Sequence, residues 1–231
     1  MAREIVLDTE TTGLDPDSGH RLVEIAAIEL VNHLPTGRKF QRYLKPECEM
    51  SPEAQAVHGL TLAFLADKPV FAEIVAELLE FVGDSRLIIH NAEFDLKFLN
   101  AELKMLGFPA LPATRAVDTV QLARRKFPGA PASLDALCQR FNINNAHRTL
   151  HGALLDAELL SEVYLELIGG RQSHLSLDRD EIVAGVPMGA PIRVEVKARF
   201  GRVARVDMPS EAELMAHAAL LAKLKNPVWT A

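Results

Sequence analysis

Three apolar runs follow one another within the first forty-five residues, too closely for helices to separate them, and after them the apolar period changes. The runs are Glu4 to Asp8 around Ile5-Val6-Leu7, Leu22 to Val31, and Phe40 to Leu44, the last closed by Pro46. Their closeness predicts an antiparallel meander. From Phe71 onward the period is three to four: Phe71, Ile74, Val75, Leu78, Leu79 and Val82 mark an amphipathic helix ending near Gly83. Leu87-Ile88-Ile89 then reads as a buried strand, and Phe94 to Leu106 as a helix stopped by Gly107. Helices also fit 119–126, 133–141 with Ser133 as N-cap, and 154–168 before Gly169-Gly170. A meander followed by strand–helix alternation predicts an α/β fold, a mixed sheet with helices packed on it.

The helix stop at Gly169-Gly170 and the polar Arg171-Gln172-Ser173 after it predict a boundary. Residues 1–170 then form the main domain, and 171–231 a linker and C-terminal segment with a β-like stretch at 192–200 and a helix-like one at 211–225. Two cysteines, Cys48 and Cys138, can build neither a disulfide scaffold nor a four-thiolate zinc site, so both are expected to be reduced and inert. No apolar run approaches the roughly 20 residues of a membrane span, and the N-terminus lacks a signal peptide's apolar region. The expectation is a soluble cytoplasmic protein with no membrane partner. Residues 1–170 carry 16 basic and 24 acidic side chains, against 9 and 7 in residues 171–231. An acidic main domain argues against binding nucleic acid through a broad basic surface. It leaves room for acids that hold divalent cations, which would meet the phosphates themselves.

Three clusters carry chemistry. Asp8-Thr9-Glu10 ends the first strand at a Thr-Thr-Gly turn, where two acids one residue apart can face the same metal-sized gap. His90-Asn91-Ala92-Glu93-Phe94-Asp95 follows the strand at 87–89 and puts Asp95 near a helix start. His151 and Asp156 are five residues apart, about 140° around a helix, so they do not share a stripe. Gly152 instead puts His151 in the entering loop, with Asp156 one turn into the helix. Singly, each cluster has an ordinary reading: a solvated turn, an acid complementing a helix dipole, a surface histidine. Together, four converging carboxylates would repel strongly unless cations compensate them. Oxygen ligands select Mg²⁺ or Mn²⁺ over zinc, and two such ions suit in-line attack of water on a phosphodiester. A neutral histidine is the natural base for that water.

Asp8-Thr-Glu-Thr-Thr-Gly13, His90-Asn-Ala-Glu-Phe-Asp95 and His151-Gly-Ala-Leu-Leu-Asp156 resemble the three motifs of the DEDD exonucleases, histidine branch. The resemblance extends through Ser51-Pro-Glu-Ala-Gln-Ala-Val-His-Gly59, Phe127-Pro-Gly129 and Ser133-Leu-Asp-Ala-Leu-Cys138, nearly all of it within residues 1–170. Within the family it is similar to the proofreading members that serve bacterial DNA polymerase III. The resemblance implies a ribonuclease-H-like fold and 3′→5′ exonuclease activity on the DNA primer end. It implies Asp8, Glu10, Asp95 and Asp156 as ligands of two divalent ions, Mg²⁺ or Mn²⁺, and His151 as general base. Asp8, Glu10 and Asp156 would also meet the substrate, and Glu53 and His58 match positions that touch the terminal nucleotide. The implied partners are single-stranded or frayed DNA, the polymerase alpha subunit through the C-terminal segment and, in some relatives, a small accessory subunit. The implied setting is the bacterial replisome. A free-standing exonuclease acting on RNA or short oligonucleotides would share the five catalytic residues, and an inactive replication scaffold would not need them.

Other residues carry weaker signals. His20, His33, His147 and His217 have no partner pattern and read as surface residues, while His90 could serve only backbone groups at the strand end. Arg124-Arg125-Lys126 fits either a phosphate backbone or a solvated helix end. Leu214, Ala218, Leu221 and Leu224 recur at helical spacing ahead of Val228-Trp229, which suits docking on a partner or packing on 192–206. Gln172-Ser-His-Leu-Ser-Leu177 resembles the peptide by which bacterial replication proteins bind the sliding clamp, with Gln172, Leu175 and Leu177 as its anchors; an ordinary linker is the alternative.

Overall fold

A computed structural model describes residues 2–146, 148, 150–170 and 210–223. The chain divides into two units, residues 1–177 and 178–231. The first is built on strands β1 (Arg3–Thr11), β2 (Leu22–Val31), β3 (Leu34–Tyr43), β4 (Arg86–Ile89) and β5 (Ala116–Asp118), in the order β3-β2-β1-β4-β5. β1 to β3 pair antiparallel, as the closely spaced runs predicted, and β1–β4 and β4–β5 pair parallel. Parallel pairing needs crossovers, which helices between β3 and β4 and between β4 and β5 supply, and further helices follow β5. The helices are α1 (Pro52–His58), α2 (Leu62–Leu65), α3 (Phe71–Val82), α4 (Ala92–Met105), α5 (Thr119–Lys126), α6 (Leu134–Phe141) and α7 (Ala153–Leu167).

Strand side chains alternate between faces, so one sheet feeds two cores. Ile5, Leu7, Ile25, Ala27, Leu87 and Ile89 pack with α3 and α4 on one side. Val6, Ile28, Leu30 and Ile88 pack with α5, α6 and α7 on the other. Cover on both faces explains why β1 and β2 are near-continuous apolar runs.

Several elements differ from the sequence expectation. β1 continues past Asp8 to Thr11, so both acids of the first cluster lie within the strand. β3 begins at Leu34, six residues before Phe40, because its first half is an exposed edge that needs no apolar face and accommodates Pro35 and Gly37. β5, α1 and α2 carry too few residues to show a period. His20 and His33 are not unpartnered. His20 Nδ1 lies 3.1 Å from Thr12 Oγ1, and a side chain at Gly13 would meet its ring at 2.4 Å. His33 Nδ1 bonds Glu4 at 2.6 Å, and Glu4 also accepts from the Tyr164 hydroxyl at 2.8 Å. Lys126 caps the carbonyls of Glu166 and Leu167 at the end of α7, a structural task.

In the second unit, α8 (Glu211–Leu221) begins at a Ser210–Glu213 capping box, with Leu214, Met215, His217 and Leu220 exposed. The strand expected at 192–200, His147, Leu224, Trp229 and the segment 172–177 lie outside the described residues. Among the described residues no helix is long and apolar enough to cross a membrane.

Candidate active site

β1 pairs with β4 only from Glu4 to Val6 and continues to Thr11 paired with β2 alone, which opens a crevice at the carboxyl ends of the central strands. Period-two alternation points Asp8 and Glu10 to the side of Val6, the face covered by α7. Across from Glu10 on β2 stands Glu24, whose carboxylate accepts from Gln41 Nε2 at 2.7 Å and from the Ala153 backbone N–H at 3.1 Å. That second bond caps α7, whose own N-cap is Gly152 and has no side chain to offer. An acid at the helix start also complements its dipole, so Glu24 sets where α7 enters the site. One turn in, Asp156 closes its backbone bond to Gly152 and is buried. Just before the helix, the His151 N–H donates to the Val57 carbonyl at 3.1 Å, which ties the loop to α1.

Asp95 arrives from α4. Asn91, in the left-handed conformation at φ 68°, turns the chain from β4 into that helix. Buried Asp95 accepts from Thr9 Oγ1 at 2.7 Å, so the one residue between Asp8 and Glu10 anchors the third acid. All four acids and His151 line a cleft of about 470 Å³, together with Arg148. A smaller adjoining pocket of about 280 Å³ contains Glu10, Leu14, Ser51, Glu53, Val57 and Phe94. Glu53 therefore stands beside the acids. His58 does not open to that space: it is buried, its Nε2 donates to the Thr11 carbonyl at 3.2 Å, and its Nδ1 accepts from Leu60 N–H at 3.0 Å. Burial, first, depresses its pKa. His90 also has a side-chain partner rather than backbone groups alone. Its Nδ1 lies 2.9 Å from Thr119 Oγ1, which donates to the Ile89 carbonyl, so His90 supplies the proton to Thr119.

The electrostatics follow from this crowding. Burial, then Asp95, Glu10 and Asp156, hold Asp8 well above the carboxylate range. Burial, then Asp156, Glu24 and Asp95, push Glu10 up to about 8. Burial raises Asp95 to about 7 despite the Thr9 bond. Glu10, His151 and Asp156 each offer a ligand atom, and these lie within 4.8 Å of one another. Oxygen-rich donors whose ionisation needs a compensating charge fit hard divalent cations. Without such cations these acids favour their protonated forms in the fold. They bind more protons folded than unfolded, so their stabilising effect is complete below about pH 4 and lost as pH rises through 7 and 8. The chelated protein should therefore melt at progressively lower temperature from about pH 5 to pH 9, and divalent cations should flatten that slope. Scanning calorimetry in chelator and in Mg²⁺ checks this; a chelated protein stabilised by rising pH over the window would contradict it.

One member of the cleft had no place among the sequence motifs. Arg148 reaches Asp156 through two bonds, Nε to Oδ1 at 2.6 Å and Nη2 to Oδ2 at 2.7 Å. Nη1 pairs with Asp135 at 2.7 Å, and Nη2 donates to His151 Nδ1 at 2.8 Å. The only available signal was its place three residues before His151, which does not by itself imply contact.

A family model described as exonuclease (RNase_T) matches residues 5–164. A protein of Rickettsia conorii named DNA polymerase III subunit epsilon is 47% identical over 98% of this chain and 98% of its own length. The protein of that name from Salmonella typhimurium is 43% identical over 96% of this chain and 93% of its own. Among solved structures, exonuclease X in complex with 5′ overhanging duplex DNA superposes with a TM-score of 0.56 at 27% identity, over 73% of this chain and 91% of that one. The nuclease domain of 3′hExo, a DEDDh family member bound to rAMP, shares the fold with a TM-score of 0.61 at 18% identity, over 72% and 91%.

Proposed function

The chain belongs to the exonuclease family, and from that premise we propose how its cleft works. The protein is a 3′→5′ exonuclease that acts on DNA as the proofreading part of DNA polymerase III, and its family uses divalent metal ions. The observation that carries the reading is the convergence of Asp8, Glu10, Asp95 and Asp156 with His151 in one cleft. In this reading Asp8, Glu10, Asp95 and Asp156 would hold two ions, Mg²⁺ or Mn²⁺, with Asp95 anchored by Thr9. Bound cations supply Lewis-acid polarisation of the scissile phosphate and neutralise its charge. His151, partly exposed at the cleft, takes the proton of the attacking water.

Asp8, Glu10 and Asp156, which would hold those ions, are also the acids placed in the cleft to meet the substrate's terminal phosphate. Glu53, in the adjoining pocket, contacts the terminal nucleotide, and His58 contributes by bracing α1 against Thr11 beneath it. Because the site takes a single strand, frayed ends enter at lower cost than paired ones. The test is degradation of 3′-labelled single-stranded DNA and RNA with and without divalent cations. Metal-dependent loss of DNA from the 3′ end is expected, and a preference for RNA would favour the free-standing alternative. Similarity to the Rickettsia conorii epsilon subunit along 98% of the chain favours the subunit reading.

The finer partners rest on the C-terminal segment. The polymerase alpha subunit binds residues 171–231, and the sliding clamp binds Gln172, Leu175 and Leu177. The assembly works in the bacterial cytoplasm at the replisome. Chain ending at residue 170 should keep exonuclease activity and fail to co-purify with the polymerase; retained co-purification would move the contact to the catalytic unit. A peptide of residues 170–179 should bind the clamp weakly, since Leu177 buries less area than an aromatic anchor. Tethering offsets that weakness by raising the local concentration to about the millimolar range. Changing Gln172, Leu175 and Leu177 to Ala should abolish binding, and equal signals from both peptides would reduce the segment to a linker.

A further inference from the structure

We propose that Arg148 is the internal counter-cation of the metal-free cleft: it occupies Asp156 and the His151 ring until a divalent cation displaces it, and so sets the concentration at which the site loads. This rests on the metal-binding reading given above. The guanidinium engages both oxygens of Asp156 with two nearly parallel bonds, at 2.6 and 2.7 Å, the strongest geometry available to such a pair. Both side chains are almost fully buried, Arg148 at 7% and Asp156 at 4% exposed, so water screens the pair little. A cation that binds Asp156 needs the same oxygens.

The second engagement is with His151. A guanidinium donates and never accepts, so a bond from Nη2 to His151 Nδ1 requires that nitrogen to carry a lone pair and no proton. The 3.3 Å between His151 Nδ1 and Asp156 Oδ2 therefore separates two acceptors bridged by one donor group. While Arg148 sits there, that lone pair cannot take a proton from water. One side chain thus keeps a metal ligand and the base engaged together.

The third engagement gives the group an anchor. Nη1 pairs with Asp135 at 2.7 Å, and Asp135 also accepts from Asn145 Nδ2 at 2.9 Å. Asp135 is half exposed and stands at the start of α6, so its bond to Arg148 survives when Nε and Nη2 let go of Asp156. Displacement then needs only a local side-chain movement. Arg148 is a positioning residue in this scheme.

The experiment is Mn²⁺ binding by the full chain without DNA, followed by calorimetry and by the spin-resonance signal of free Mn²⁺, for wild type, Arg148→Gln and Arg148→Lys. Removing a charge-assisted bidentate competitor should tighten binding by at least about tenfold in Arg148→Gln, with Arg148→Lys between it and wild type. The wild-type Arg148 Nε–H resonance should be protected from exchange in chelator and lose that protection as Mg²⁺ is added, a readout that needs no variant. Weaker Mn²⁺ binding by Arg148→Gln, or an Nε–H resonance indifferent to saturating Mg²⁺, would overturn the proposal. Wild type that binds no Mn²⁺ at all would instead overturn the metal-binding reading beneath it.

Discussion

The double variant Asp8→Ala, Glu10→Ala is expected to lose hydrolysis of 3′-labelled DNA down to the uncatalysed background while keeping its fold. The two positions lie on one face of β1, and no other acid of the cleft projects from that strand. Asp95 and Asp156 would remain, from α4 and α7, with Thr9 and Arg148 as their partners. They could not by themselves provide the carboxylates that two ions need. The same substitutions remove acids that burial and mutual repulsion hold far above their ordinary pKa values. The metal-free double variant should therefore unfold at a higher temperature than wild type near pH 8, by about 2–4 °C for each kcal/mol of relieved repulsion. Circular dichroism and the nuclease assay check the two halves independently. Normal turnover in Mg²⁺ would falsify the site assignment.

His151→Ala should lower turnover by roughly 10²–10⁴-fold, the range for loss of a general base, while DNA binding changes much less. Geometry favours this separation. The imidazole is partly exposed at the cleft, with one ligand atom in the group formed by Glu10 and Asp156, whereas the nearby pocket holding Glu53 does not include it. Its backbone position is held by the Val57 carbonyl and survives truncation of the side chain. Wild-type activity should rise with pH along a limb that vanishes in the variant. Single-turnover kinetics across pH, beside equilibrium binding of a single strand in chelator, measure both quantities. An unchanged rate, or a pH limb that persists without the histidine, would remove His151 from the mechanism.

The elements legible in the sequence were those long enough to repeat. β2 is a 10-residue near-continuous apolar run, and the helices α3, α4 and α7 span 12 to 15 residues. β5, with three residues, and α2, with four, cannot show a period, and their places come from pairing and packing. The first half of β3 is polar because it is an exposed edge, so alternation there carries no hydrophobic signal. Among site residues, Asp8, Glu10, Asp95, His151 and Asp156 announced themselves by short-range spacing within motifs. Glu24 had no such neighbour: it sits inside an apolar strand, and its task of capping α7 joins residues 129 apart in the chain.

What the sequence by itself determined was each local choice: which longer runs become strands or helices, and that His151 precedes a helix containing Asp156. Those follow from interactions over a few residues, where period, caps and chemical type are decisive. What only the tertiary structure decided was which groups touch. Thr9 holds Asp95 across 86 residues, Glu24 caps α7, and His58 turns inward to the Thr11 carbonyl rather than toward the pocket beside Glu53. Arg148 closes on Asp156 and His151 although all three belong to one short stretch of chain, because α6 brings Asp135 to hold the guanidinium from the other side. Side-chain direction in a cleft is set by every element that borders it, and no single segment contains that information.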